Sequence, residues 1–144
     1  SVSTSKSVFS EEDSKKRCAE ILELPETKIK LDQETEHYFV FVANFVKKKL
    51  FNKKTITSVV VLDKFGRLKL SINSGKIFQG TETETKTNVE QFLKSRHNDI
   101  APQVHLLTDL KLIDYSSLTS NSSIVDAIGQ EFKESKKVIA IIEL

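Results

Sequence analysis

Two stretches dense in β-branched and aromatic side chains constrain this chain more than any other feature. Residues 37–46 carry Tyr38, Phe39, Val40, Phe41, Val42, Phe45 and Val46, and residues 55–62 are mostly Thr, Ile and Val. Such side chains suit a pleated, half-buried surface, and runs of this length need cover on at least one face. The second run reads as a strand. The first favours a buried strand, with a buried helix running to Leu50 or Phe51 as the alternative. Asp63-Lys64-Phe65-Gly66 then reads as a hairpin turn in which Gly66 is free to take positive φ. Residues 67–72 alternate, with Leu68, Leu70 and Ile72 on one face. Asn73-Ser74-Gly75 reads as a second turn and residues 76–79 as a short third strand. The middle of the chain therefore predicts an antiparallel β-meander.

Helical patterns flank it. Ser10 precedes Glu11, Glu12 and Asp13, an N-cap followed by carboxylates that favour the helix dipole. Cys18, Ile21 and Leu22 recur at helical spacing, and Pro25 ends that helix near Leu24. Residues 26–36 read as a charged connector with a short extended piece at Ile29 and Leu31. Residues 80–86 alternate Thr with Glu and read as a solvated loop or an exposed edge. Thr87 to Glu90 fits a capping box opening a helix with Val89, Phe92, Leu93 and Ile100 on one side, closed by Pro102. Residues 104–110 read as a strand and 114–123 as a Ser-rich loop. Ser122 or Ser123 caps a last helix with Ile124, Val125, Ile128 and Phe132 facing inward. Residues 138–142 form a final strand, apolar on both faces, which either lies centrally in a sheet or pairs with another chain.

The expected fold class is thus α+β, a mixed α/β arrangement. A central antiparallel meander and additional C-terminal strands form a single layer of sheet packed by helices. Residues 1–9, small and polar, read as a disordered tail, and 10–144 as one domain. With 38% hydrophobic and 29% charged residues, the chain has the balance of one that buries a core. No apolar run approaches the roughly 18–20 residues that span a bilayer, and the N-terminus does not resemble a signal peptide. A lone cysteine, Cys18, favours a reducing, intracellular compartment, cytoplasmic or nuclear. The absence of methionine suggests a piece of a larger protein.

The net charge of +2 hides a segregation. Residues 1–36 carry −3, residues 37–80 carry +8 and residues 81–144 carry −3. Five of the nine middle cations fall within eight residues: Lys47, Lys48, Lys49, Lys53 and Lys54, around Leu50 and Phe51. The expected arrangement is a basic loop with Leu50 and Phe51 as an apolar anchor, joined by Lys64, Arg67 and Lys69 if the strands bring them near. Fold-back of Leu50 and Phe51 into the core is the mundane alternative. The function this favours is non-catalytic recruitment or scaffolding, the loop docking another protein with an acidic surface. Anionic lipid and nucleic acid are further partner classes, and a homodimer through an apolar edge strand is another. A lysine-bearing loop after the first strand is also where phosphoinositide-binding domains often place their cations, which makes a membrane-surface module the first alternative.

Element order raises a second alternative. Meander, helix, strand, helix, strand resembles the ribonuclease H-like architecture, whose nucleases hold divalent metals with carboxylates at the first strand, first helix and fourth strand. That resemblance implies Asp63, Glu90 and Asp109, each of which also has an ordinary local role. No cofactor or metal is expected. His37, His97 and His105 are too scattered for a metal motif; His97 and His105 read as outward-facing. Cys18 reads as a small core residue. Ser10, followed by three acids, reads as an N-cap and as a candidate phosphorylation site. No nucleophile elbow, P-loop or dinucleotide fingerprint occurs.

Overall fold

The computed structural model describes residues 8–48, 50–96, 103–115, 121–133 and 135–144. The chain is α+β, with three α-helices and two antiparallel four-stranded sheets among the described residues. It divides into two units, the first ending at Ser74 and the second beginning at Gly75. The single sheet expected from the sequence is therefore two sheets, the first in a unit with one α-helix and the second in a unit with the other two.

The first unit opens with α1, Glu11–Leu22. Ser10 Oγ accepts from the Asp13 N–H at 3.1 Å, as the N-cap pattern predicts. The helix ends one turn short of Pro25. Glu23 adopts the left-handed conformation (φ 56°), its N–H bonding Glu20 O while Leu24 N–H bonds Ala19 O. A short 3-10 turn, Glu26–Lys28, leads into β1 (Ile29–Glu34), β2 (Tyr38–Lys48), β3 (Lys53–Asp63) and β4 (Leu68–Ile72), paired in that order. Residues 37–46 are thus strand, not helix. Phe39, Phe41 and Ala43 from β2 and Val60 and Leu62 from β3 pack with Ile29, Cys18 and Ala19. Phe9 was expected in a disordered tail. Instead its N–H donates to Lys64 O at 2.7 Å. The earlier part of that expected tail, 1–7, lies outside the described residues.

Asn73-Ser74-Gly75 does not close a third meander strand. β5 (Gly75–Gly80) belongs to the second unit, where it pairs with β8 (Val138–Glu143). Between them in sequence lie α2 (Glu82–Ser95), β6 (Val104–Leu107), β7 (Leu112–Tyr115) and α3 (Asn121–Phe132), and the sheet runs β5-β8-β6-β7. α2 starts six residues before the expected capping box. Thr81 is its N-cap, accepting from Glu84 N–H at 3.2 Å and donating to Glu84 Oε1 at 3.1 Å. The Thr/Glu alternation hides a four-residue period: Thr85, Val89 and Leu93 are buried on one face, and Thr85 Oγ donates to Val138 O. The expected Ser-rich loop, 114–123, takes in the last two residues of β7, and α3 begins at Asn121, before either serine proposed as its cap. Ile124, Ile128 and Phe132 pack with Val89, Leu93, Val104, Leu106 and Ala140. Ile100, Pro102 and His97 lie outside the described residues.

β8 has neighbours on both edges, β5 and β6. Its two-faced apolarity is that of a central strand, buried from Val138 to Ile142, and it offers no free edge to a second copy. No helix among the described residues is long and apolar enough to cross a membrane.

Candidate functional site: the β2–β3 ribbon

β1 pairs with β2 only as far as Ala43, and β4 reaches β3 no further than Val59. Beyond those points, among the described residues, β2 and β3 pair only with each other. The resulting two-stranded ribbon runs from the Asn44–Thr57 pair to the Lys48–Lys53 pair, a length of about 13 Å at the usual rise per residue. Thr57 Oγ1 donates to Asn44 Oδ1 at 2.7 Å and ties the root of the ribbon across its two strands. Ser58 Oγ donates to Asn73 O at 3.3 Å just below.

The tip carries the predicted apolar pair in the open. Leu50 is 94% and Phe51 93% exposed, so neither folds back into the core. Val46 and Phe45 are also exposed along the ribbon. Register sets Lys47 opposite Lys54 and Lys48 opposite Lys53. Lys48 and Lys53 are exposed, and among the described residues neither has an ion-pair partner. Lys49 lies outside the described residues. Like charges placed opposite on a ribbon repel. No Asp or Glu occurs anywhere from Tyr38 to Leu62 to relieve that repulsion.

Lys64, Arg67 and Lys69 do not join this surface. Lys64 and Arg67 sit just past the opposite end of β3, which its ten residue steps put about 33 Å from the tip, and Lys69 lies on β4 beside that end. Each is already engaged. Lys64 Nζ lies 2.6 Å from Glu34 Oε2 and 3.9 Å above the Phe39 ring. Arg67 Nε donates to Asp63 Oδ2 at 2.5 Å, and Lys69 Nζ is 4.0 Å from the same oxygen. Arg67 and Lys69 thus gather on the β3–β4 turn through Asp63, and Lys64 ties that turn to β1 and β2.

Asp63 is the anchor of that turn. Its Oδ1 accepts from the N–H groups of Phe65 and Arg67, both at 2.9 Å. Burial opposes its ionisation, but those two N–H groups and the Arg67 guanidinium outweigh burial and hold the carboxyl below its ordinary range. Both oxygens are thus committed to structure. Glu90 pairs with Lys94 at 2.9 Å on α2, and Asp109 is exposed between β6 and β7. Among the described residues no three His, Cys, Asp or Glu side chains are placed to hold a metal ion.

One polar cluster escaped the sequence reading. His105 was expected to face outward from its strand, but it is buried. Its Nδ1 lies 2.6 Å from Asp114 Oδ1 and its Nε2 3.0 Å from Glu143 Oε1. The imidazole therefore ties β6 to β7 on one side and β8 on the other. The Gln103 amide, turned to donate, adds contacts of 3.2 Å to both Glu143 oxygens. The available signal was the Thr108–Lys111 turn, closed by a Thr108 N–H to Lys111 O bond at 3.0 Å. Reading it as a hairpin sets Asp114 opposite His105.

Burial pushes the Cys18 thiol up to about 12, which fits the core role its spacing predicts. No family model, no curated protein and no solved structure matches the chain.

Proposed function

We propose that this chain is a non-catalytic interaction module, working inside the cell, that docks onto an acidic surface through the end of the β2–β3 ribbon. The observation that carries the reading is the composition of that end. Lys48 and Lys53, facing each other and without an ion-pair partner among the described residues, stand beside two exposed apolar side chains on an arm free of acids. An anionic partner relieves the repulsion between facing lysines, while Leu50 and Phe51 lose exposed apolar area on contact. The buried Cys18 thiol is compatible with a reducing compartment.

Retention on immobilised heparin, a polyanion, tests the reading. The Lys48→Glu/Lys53→Glu variant should elute at clearly lower salt than the wild type. Lys28→Glu/Lys30→Glu, also at exposed positions of the first unit, makes the same change in net charge. It should shift elution far less. Equal shifts for the two pairs would show that net charge, and not the ribbon, governs binding, and would overturn the proposal.

A further inference from the structure

We infer that the acidic surface is an anionic lipid bilayer, which the ribbon enters tip first. This rests on the docking role proposed above and names its partner. The order of side chains along the ribbon carries the inference. Leu50 and Phe51 are outermost among the described residues, the Lys48–Lys53 pair lies behind them, and Val46 and Phe45 follow toward the root. A bilayer presents matching layers to an arriving arm: acyl chains within, a sheet of phosphates above them, water beyond. Leu50 and Phe51 reach the acyl boundary while the Lys48 and Lys53 ammonium groups stop among the phosphates, their methylene stems lying along the apolar boundary.

Other acidic surfaces fit this order less well. A folded protein would need a pocket shaped for two large side chains inside an acidic rim. A nucleic acid would be gripped better by arginine, whose fork matches phosphate and enters the minor groove, and the ribbon has none. Lysine is a point charge on a flexible stem, suited to headgroups that move to meet it. Each lysine near an anionic leaflet strengthens binding about fivefold. Each apolar side chain, even half inserted, adds about tenfold. Neither pair alone makes stable attachment, whereas the two together supply the dual signal that membrane association needs. The paired strands and the Asn44–Thr57 bond pre-form the arm, so little ordering opposes insertion.

The chain has no tryptophan, so Phe51→Trp places a single fluorescent reporter at the tip. On vesicles of phosphatidylcholine mixed with phosphatidylserine, its emission should shift to the blue and be quenched by lipids brominated in their acyl chains. Vesicles of phosphatidylcholine alone should give neither effect. Without the reporter, the wild type should co-sediment with the mixed vesicles. Leu50→Ser/Phe51→Ser should weaken that co-sedimentation about tenfold or more, with heparin retention unchanged. Lys48→Glu/Lys53→Glu should abolish co-sedimentation and lower the salt at which the chain leaves heparin. A wild type that binds heparin but stays in the supernatant with mixed vesicles overturns the lipid inference and leaves the docking role standing. So does vesicle binding without acyl quenching, or duplex DNA bound more tightly than the vesicles. Loss of both heparin and vesicle binding in the wild type removes both proposals.

Discussion

At the scale of single residues, the positions that matter most for stability are those where the backbone or a charge is held in an unfavourable state and compensated. Asp63 is buried at a turn yet ionised, because two N–H groups and Arg67 converge on it. Its carboxyl titrates lower folded than unfolded, so the stabilisation is complete above the unfolded value of about 4. It disappears as pH falls through the lower folded value. Asp63→Asn should cost about 1–3 kcal/mol at neutral pH, and the gap from wild type should close in strong acid. Urea denaturation at a series of pH values reads this directly. Glu23 is the converse case, a side chain with Cβ held in left-handed geometry at the end of α1. Glu23→Gly should raise stability by about 1 kcal/mol, visible as a higher Tm. Gly66, also at positive φ, permits no such exchange in reverse: a Cβ there would sit 2.5 Å from the Phe9 ring.

At the scale of elements, β2, β3 and β4 were legible because β-branched composition and the Asp63–Gly66 turn agree with each other, whereas β1, Ile29–Glu34, was read as a charged connector with only a short extended piece. The start of α2 was not, because Thr-x-x-Glu occurs twice, at Thr81–Glu84 and at Thr87–Glu90. The two-residue alternation of Thr and Glu masked the Thr85, Val89, Leu93 stripe, and a threonine was discounted as a core residue. In the fold Thr85 is buried because its hydroxyl finds the Val138 carbonyl at 3.2 Å. The two candidate caps therefore separate by mutation. Thr81→Ala should lower stability by about 1 kcal/mol. Thr87→Ala should leave the denaturation midpoint nearly unchanged, since Thr87 lies inside α2 with its hydroxyl on Thr83 O. The ribbon was half legible. Sequence showed five lysines around an apolar pair, but not that β2 and β3 outrun their neighbours, which is a matter of strand lengths set by β1 and β4.

At the scale of the whole molecule, local signals told where the chain turns but not which sheet it turns toward. Asn73-Ser74-Gly75 served equally well as a hairpin and as the passage from one unit to the next; the deciding partner, β8, lies more than sixty residues away in sequence. The same limit hid the His105 cluster, which draws on three strands. Each unit carries its own apolar cluster, so opening can be followed unit by unit. Cys18, buried in the first, is the chain's one thiol. A folded-state value near 12 against about 8.5 when unfolded means that the unfolded chain loses this proton first as pH rises. The first unit should therefore lose stability progressively between those two values. Cys18→Ala should flatten that alkaline slope. In the wild type, a thiol reagent at pH 8 should react only at the rate at which the unit opens, measured by absorbance with and without urea.

The lysine-tipped ribbon also bears on how the chain can be cut. Exposed loop tips are where proteases act first, and trypsin cleaves after lysine. Cleavage after the exposed Lys48 or Lys53 cuts the chain at the far end of the ribbon, while the register from Tyr38–Asp63 toward that end still zips β2 to β3. The product is two fragments held together within the first unit by that pairing, which part only when it is denatured. The same tip is accordingly the place where a foreign loop or an affinity tag can be spliced into this chain with least disturbance to either core.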